Sequence, residues 1–138
     1  MLDCAQPDGY CLQEVVVHAA SYHLGQGEDF NEVNPGIGLH FRVPGRSFFA
    51  AAGAFENSLA RVSVYAGAGK DFPITGPFAL RLTGALVTGY RIPLVPVILP
   101  EMTITARGYG LAIGYVPKLD FGDEVVESFI SFSFLKRF

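Results

Sequence analysis

The residues best suited to chemistry in this sequence are one histidine and one serine that are well separated along the chain. His18 lies in the segment EVVVHAA, and Ser58 follows Asn57 in the segment FENSLA. An imidazole can act as a general base on a nearby hydroxyl, which is otherwise a weak nucleophile at neutral pH. His18 and Ser58 are therefore candidate catalytic residues, provided that the fold brings them together.

The elements that must position these residues are predicted to be strands. Apolar residues alternate with other residues along most of the chain, and helical periodicity is nearly absent. The 138 residues are enough for one domain. The predicted strands span residues 13–23, 36–43, 47–56, 60–69, 77–90, 94–107, 109–117 and 125–137. Tight turns are predicted at 43–46 and 107–110, a moderate turn at 70–76, and loops at 24–35, 56–59, 90–93 and 117–124.

The composition narrows the class of protein. Half of the residues are apolar and 17% are charged, against about 25% charged in ordinary globular chains. No apolar stretch reaches the about 18 residues that a membrane-spanning helix needs, so any crossing of a membrane would be by strands. The net charge is −3 and the ten Lys and Arg are scattered, which argues against a nucleic-acid partner.

The two faces of the predicted strands distinguish two kinds of barrel. In strand 60–69, Val62 and Val64 share one face, whereas Tyr65, Gly67 and Gly69 share the other. A soluble barrel covers its exterior with charged residues, whereas a membrane barrel turns its apolar face to lipid and fills its interior with small and polar residues. The small second face predicts an eight-stranded antiparallel transmembrane β-barrel of the bacterial outer membrane, spanning residues 13–138. Its interior is too narrow for a conducting pore.

Charged residues on the small face are predicted to point into the barrel and to form a structural ion-pair network. They are Glu14, Arg42, Arg61, Arg81, Arg107 and Glu127. His18 is predicted to point inward with Glu14, and His40 to point inward nearer the tight turns.

The sixth predicted strand contains an unusual number of prolines. Together with the loop before it, the strand reads YRIPLVPVILPEMTI, with Pro93, Pro96 and Pro100. Proline cannot donate to a strand ladder and is normally confined to edges, which a closed barrel lacks. The prolines therefore indicate either a local opening in the wall, through which an acyl chain could pass, or a strand that bends near a loop.

The N-terminal segment, residues 1–12, holds both cysteines of the chain. Cys4 and Cys11 flank Pro7 and Gly9, which fits a small disulfide loop in an oxidising compartment; the alternative is two free thiols. The first residues have no secretory signal pattern, so the sequence indicates either a mature chain with an added Met or a cytosolic protein.

Several segments together resemble the lipid A palmitoyltransferases of the PagP type, over most of residues 15–138. They are YRIPLVPVILPEMTITARGYGLAIGYVP, ESFISFSFLKRF, FFAAAGAFENSLARVSVYAGAGK, VVHAA and NPGIGLHF. The resemblance implies that His18 and Ser58 correspond to the essential histidine and serine of the family. Asn57 stands where the family has Asp, and an amide cannot accept a proton or carry negative charge. The resemblance also places Gly69 at the floor of an acyl pocket that Tyr65 and Gly67 line.

The implied function is the transfer of a palmitoyl chain from a phospholipid to lipid A. The expected protein is a monomer in the outer membrane of a Gram-negative bacterium, with the donor chain passing the wall near Pro93, Pro96 and Pro100 and with Asn57 as a polar helper. No metal, nucleotide or other cofactor is implied. The alternatives are a non-enzymatic outer-membrane barrel, a lipid A deacylase and a soluble lipid-binding barrel.

Overall fold

The chain forms a closed antiparallel β-barrel. The computed structural model describes residues 9–24, 32–57, 59–90, 92–120, 122, 125–126 and 128–138. The strands are β1 Cys11–His23, β2 Val33–Arg42, β3 Phe48–Glu56, β4 Val62–Thr75, β5 Phe78–Val87, β6 Val95–Ala106, β7 Tyr109–Val116, β8 Leu119–Asp120, β9 Val125–Val126 and β10 Phe129–Arg137. Eight of them close the barrel in the order β1-β10-β7-β6-β5-β4-β3-β2, and β8 pairs with β9 separately. The predicted all-β fold with eight barrel strands is confirmed.

The connections give the barrel two different ends. The tight turns at 44–45, 76–77 and 107–108 lie at one end together with the C-terminal Phe138, and this end is called the turn end. Gly45 and Gly108 there have φ of 77° and 81°, a left-handed backbone that glycine adopts without steric cost. The opposite end, where β3 passes into Asn57 and β6 begins, is called the loop end. In the described residues, no helix is long and apolar enough to cross a membrane.

Strand β4 is longer than predicted, and this changes what lies inside the barrel. It runs from Val62 to Thr75, whereas the prediction ended it at 69 and began a turn at 70. Its ladder with β5 shifts in register between Pro73 and Thr75, near the end of the strand, where proline cannot donate to the ladder. Asp71 is consequently part of the ladder, and it is buried.

The last barrel strand and the first one also differ from the prediction. The last barrel strand begins at Phe129, and the short pair β8–β9 occupies part of the region given to a loop and to that strand. In β1, both ladders shift between His18 and Ala20, which is a β-bulge. The bulge reverses the alternation, so Ser21 is buried while Tyr22 is exposed.

The outer wall of the barrel is apolar. Large exposed apolar residues occur on every long strand, among them Val17, Ile37, Phe48, Val64, Leu82, Leu86, Ile98, Met102, Ile113, Phe132 and Phe134. At the turn end, Lys70 lies over the rings of Phe48 and Phe72, 4.8 and 5.1 Å from their centroids. Aromatic rings with lysines at a rim are typical of the boundary between an apolar band and water.

Candidate functional site

The half of the lumen nearer the turn end is filled by an ion-pair network centred on Arg81. Arg81 is fully buried. Its Nη1 donates to Glu14 Oε1 at 2.7 Å, and its Nε donates to Asp71 Oδ1 at 2.7 Å. Three strands, β1, β4 and β5, are thereby joined across the lumen by one guanidinium group.

The other side chains of the network form further hydrogen bonds and ion pairs with the carboxylates of Glu14 and Asp71. His40 Nδ1 lies 2.9 Å from Glu14 Oε1, and Arg137 Nε donates to Glu14 Oε2 at 2.7 Å. Arg42 Nη2 donates to Asp71 Oδ2. The Phe49 ring stacks on His40 with centroids 4.4 Å apart, and it lies beneath the guanidinium groups of Arg42 and Arg81. This half of the lumen is therefore plugged.

The predicted network is confirmed for half of its proposed members. Glu14, Arg42 and Arg81 take part in it. Arg61 and Arg107 do not point into the lumen: Arg61 lies just before β4 and is exposed, and Arg107 is exposed in a turn with φ of 55°. Glu127 lies outside the described residues. Asp71 was missed because its segment has the composition of a turn.

The other half of the lumen contains a cavity of ≈ 150 Å³. It extends from Arg81, His40 and Glu101 toward the loop end. Its wall is mostly apolar and includes Val16, Ala85, Val87, Val95, Val97, Leu99 and Val116, and the candidate residues His18 and Tyr65 also line it.

His18 is hydrogen-bonded through both ring nitrogens in this cavity. Its Nε2 lies 2.8 Å from the Tyr65 hydroxyl oxygen, and its Nδ1 lies 3.2 Å from Ser133 Oγ. The Tyr65 hydroxyl occupies the space that a Cβ of residue 38 would need, so glycine at that position permits the contact. In the tautomer that donates from Nε2 to Tyr65, Nδ1 can accept the proton of Ser133. This is the arrangement of a nucleophile, a base and a group that orients the base.

Asn57 holds the backbone in place at the loop end. Its side chain is fully buried, and its Oδ1 accepts hydrogen bonds from the backbone N–H groups of Leu59 and Arg61 at 2.9 and 3.1 Å. Its Nδ2 donates to Ser63 Oγ at 2.9 Å and to the Gly89 carbonyl at 3.1 Å. The amide thus stabilises the β3–β4 connection and ties it to the segment after β5. Ser58, the predicted nucleophile, lies outside the described residues.

The two glycines of the predicted acyl pocket do not line the cavity. Gly69 faces inward as predicted, but the Phe49 ring fills the space above it, and an added Cβ would be 2.7 Å from the Leu82 carbonyl oxygen. At Gly67 an added Cβ would collide with the Gly84 carbonyl oxygen. The floor of the cavity is formed by Arg81, His40 and Glu101 instead, because Phe49 and the ion pairs occupy the deeper lumen.

Strand pairing around Pro96 and Pro100 is incomplete, which agrees with a local opening and also with a strand that bends near a loop. Strand β6 pairs with β5 from Val95 to Ile104. In the described residues, it pairs with β7 from Glu101 to Ala106, so the segment 95–100 has no partner on the β7 side. Successive residues of a strand direct their N–H groups to alternate neighbours. The Thr105 N–H donates to the Pro77 carbonyl on the β5 side, so the even-numbered positions 96 and 100 face β7, and Pro96 and Pro100 both lack a donor on that side. Pro93 precedes the strand and is exposed.

The inner side of this unpaired stretch, which we call the β6–β7 opening, belongs to the cavity. Val95, Val97 and Leu99 of β6 and Val116 of β7 all line it. At the β6–β7 opening, the ladder between the two strands is not continuous. The side chains there are what separates the cavity from the outside of the barrel.

The comparisons with known proteins support the fold. No protein-family model and no curated protein matches this chain. Among solved structures, a de novo designed protein, TMB2.3, whose structure was determined by solution NMR, is similar with a TM-score of 0.68. The alignment covers 96% of this chain and 98% of the designed one at 15% sequence identity. At that identity the likeness shows a shared barrel fold and carries nothing on function.

Proposed function

We propose that this protein is an outer-membrane acyltransferase that moves a palmitoyl chain from a phospholipid to lipid A. Insertion of the barrel into an outer membrane is supported by the apolar outer wall, on which Val64, Leu82 and Phe134 are 54%, 44% and 58% exposed. Such exposure of large apolar side chains in water would be an aggregation hazard, whereas it is favourable against lipid.

The observation that carries the proposal is the β6–β7 opening in front of an apolar cavity that contains His18. An acyl chain from the surrounding lipid would pass between Pro96 or Pro100 and β7, and would meet Val97 and Leu99 inside. The cavity of ≈ 150 Å³ matches the size of cavities that hold a benzene ring, or about six carbon atoms. A palmitoyl chain would therefore require the opening to widen while it is bound.

In the proposed reaction, the His18 imidazole accepts the proton of a protein hydroxyl that attacks the ester carbonyl of the phospholipid. The imidazolium returns the proton to the departing lysophospholipid oxygen, and an acyl ester forms on the protein. A lipid A hydroxyl then attacks this ester with the same assistance from His18, and the protein hydroxyl is released. The resemblance to the palmitoyltransferases assigns that hydroxyl to Ser58. The contact at 3.2 Å favours Ser133, which was not singled out from the sequence because nothing local links residues 18 and 133. A general base of this kind contributes on the order of 10²–10⁴-fold to a rate.

Mass spectrometry of lipid A tests the proposal. Cells that express the chain should yield lipid A heavier by one palmitoyl group, and His18→Ala should lower that yield on the order of 10²-fold or more. Ser58→Ala and Ser133→Ala show which hydroxyl is required, and Ser47→Ala at the turn end is the matched control. Unchanged lipid A masses in all strains would refute the proposal.

The opening can be tested in the same assay by closing it. Continuing the β6–β7 register pairs position 100 with position 115, so Pro100→Cys combined with Tyr115→Cys should form a disulfide across the opening. Oxidised cells should lose the heavier lipid A and reduced cells should recover it, whereas the single variants should respond to neither condition.

A lipid A deacylase is the second candidate, and the pairing of Ser133 with His18 is the observation that favours it. The same two side chains would hydrolyse an acyl ester of lipid A if lipid A were the acyl donor and water the acceptor. The two activities change the mass of lipid A in opposite directions, since a deacylase gives lipid A that is lighter by one acyl group.

A further inference from the structure

Two polar side chains that line the lumen cavity have unused hydrogen-bonding capacity. Thr83 is 8% exposed, and its Oγ1 is buried without a hydrogen-bond partner. Glu101 is also 8% exposed, and its carboxylate makes no hydrogen bond or ion pair within the described part of the chain. Buried polar groups are paired in the great majority of proteins, so an unpaired set that faces a cavity indicates a polar group on a ligand.

These two side chains are close enough to act on one ligand atom. Thr83 pairs with Leu99 across the β5–β6 ladder, and Glu101 pairs with Arg81. Thr83 and Glu101 are therefore diagonal neighbours on the inner face, a relation in which Cα atoms lie about 7–8 Å apart. Both border the same cavity.

Glu101 also marks the base of the β6–β7 opening. Its pair with Gly114 is the last one of that ladder toward the loop end. A Cβ at residue 114 would lie 3.0 Å from Glu101 Cγ and 2.6 Å from Ser131 Oγ, so glycine leaves room for the glutamate stem. A chain that passes the opening would meet Glu101 at the deepest point it can reach.

We infer that the lumen cavity binds an aliphatic chain segment that carries a hydroxyl group, which donates to the Glu101 carboxylate and accepts from the Thr83 hydroxyl. A hydroxyl both donates and accepts, so one ligand atom satisfies both protein groups. A plain methyl terminus, such as that of the palmitoyl donor in the proposed function, would leave both groups unsatisfied, which carries a desolvation cost. A hydroxylated chain should therefore bind more tightly than a palmitoyl chain.

The charges of the lumen favour a neutral ligand over an ammonium group. Among the described residues, the buried acids are Glu14, Asp71 and Glu101, and the guanidinium groups in the lumen network are those of Arg42, Arg81 and Arg137. Three formal negative charges match three positive ones, so a cationic ligand would leave an unbalanced charge in an apolar cavity.

The inference shares the cavity with the proposed function, but it does not depend on turnover. Its test uses the full chain folded in detergent micelles, with isotope-labelled Val, Leu and Thr methyl groups observed by NMR. The probes are hexan-1-ol and its isomer 1-methoxypentane, which has the same atoms but no hydrogen to donate. Hexan-1-ol should shift the methyl signals of Thr83, Val97 and Leu99 saturably and bind roughly fivefold more tightly than the ether. Equal affinities, or no saturable shift, would overturn the inference.

Variants distinguish the contribution of the polar contacts to binding from that of the apolar cavity. Thr83→Val should weaken hexan-1-ol binding roughly fivefold and leave the ether unaffected. The same variant should unfold at a urea concentration no lower than the parent, because it removes an unsatisfied hydroxyl. A loss of stability would show that Thr83 already has a partner, and it would overturn the inference. Thr103→Val is the matched control, since that hydroxyl donates to the Ala79 carbonyl at 3.3 Å and does not line the cavity.

A second probe pair identifies the source of the hydroxyl. Tighter binding of 16-hydroxyhexadecanoic acid than of hexadecanoic acid assigns the site to a hydroxylated lipid chain, and a preference seen with hexan-1-ol alone assigns it to a small free alcohol. If hexan-1-ol binds but lipid A mass does not change in cells, the proposed acyltransferase activity is refuted and the hydroxyl site is supported. If lipid A mass changes but no probe with a hydroxyl group binds more tightly, the activity is supported and the hydroxyl site is refuted.

Discussion

The two halves of the lumen are built on the same strands and differ in how their polar groups are satisfied. Toward the turn end, Glu14 and Asp71 are held by arginines, and the Phe49 ring fills the remaining space. Toward the loop end, the walls are mostly apolar and a cavity remains. Within the described residues, Thr83 Oγ1 and the Glu101 carboxylate there make no hydrogen bond. One half is complete in itself, whereas the other has the features of a binding site.

The difference extends to the wall of the barrel. Strands β6 and β7 pair from Glu101 toward the turn end, and within the described residues no pair continues the ladder toward the loop end. The ladder is therefore intact around the plugged half and interrupted around the hollow half. Under the proposed function, stability and access would depend on different segments of the same barrel, so each can be altered separately.

The largest expected effect on stability comes from Arg81→Met. The variant removes the guanidinium that joins Glu14 to Asp71 and leaves two buried carboxylates with fewer partners. Breaking a buried ion pair on one side costs about 3–5 kcal/mol. The free energy of unfolding in urea, measured in lipid vesicles, should fall by that amount.

Arg61→Met is the matched control for this change, because Arg61 is exposed at the loop end and takes no part in the network. It should alter the free energy of unfolding by less than about 0.5 kcal/mol. Equal effects of the two variants would show that the network does not stabilise the barrel.

A smaller effect is expected for Gly69→Ala. The new methyl group would meet the Phe49 ring and the Leu82 carbonyl oxygen, and overpacking of this kind costs about 2 kcal/mol. Gly84→Ala is the control, since nothing lies within 4 Å of a Cβ at that position. Binding of hexan-1-ol should be the same in both variants, because neither glycine lines the cavity. Loss of hexan-1-ol binding in Gly69→Ala but not in Gly84→Ala would show that Gly69 forms the floor of the cavity, as the resemblance implied.

The sequence predicted the barrel because alternation is a local property of each strand. The inward or outward direction of Val62, Val64 and Tyr65 follows from alternation within their own strand. The prolines at 96 and 100 lack backbone donors whatever their neighbours are, so they predict missing ladder pairs from the local sequence alone. The inward positions of Glu14 and Arg81 follow from the same phasing.

The site was predicted less well because its contacts are set by the closure of the barrel. The pairing of β1 with β10 brings Ser133 to His18, and no local pattern reveals that register. Asp71 was assigned to a turn because Pro73 and Gly76 follow it closely. The role of Phe49 above Gly69 depends on side-chain packing, which alternation does not describe.

The smallest effect concerns the loop end, where Asn57→Asp should lower the free energy of unfolding by about 1 kcal/mol. The aspartate keeps acceptors for the backbone N–H groups of Leu59 and Arg61, but it loses the donors to Ser63 Oγ and the Gly89 carbonyl. Unfolding in urea measures the loss, and Ser63→Ala should make part of it non-additive in a double-mutant cycle. A stabilised Asn57→Asp protein would contradict a structural role for the amide. It would favour the view that this position belongs to the chemistry, in line with the aspartate that the palmitoyltransferases carry there.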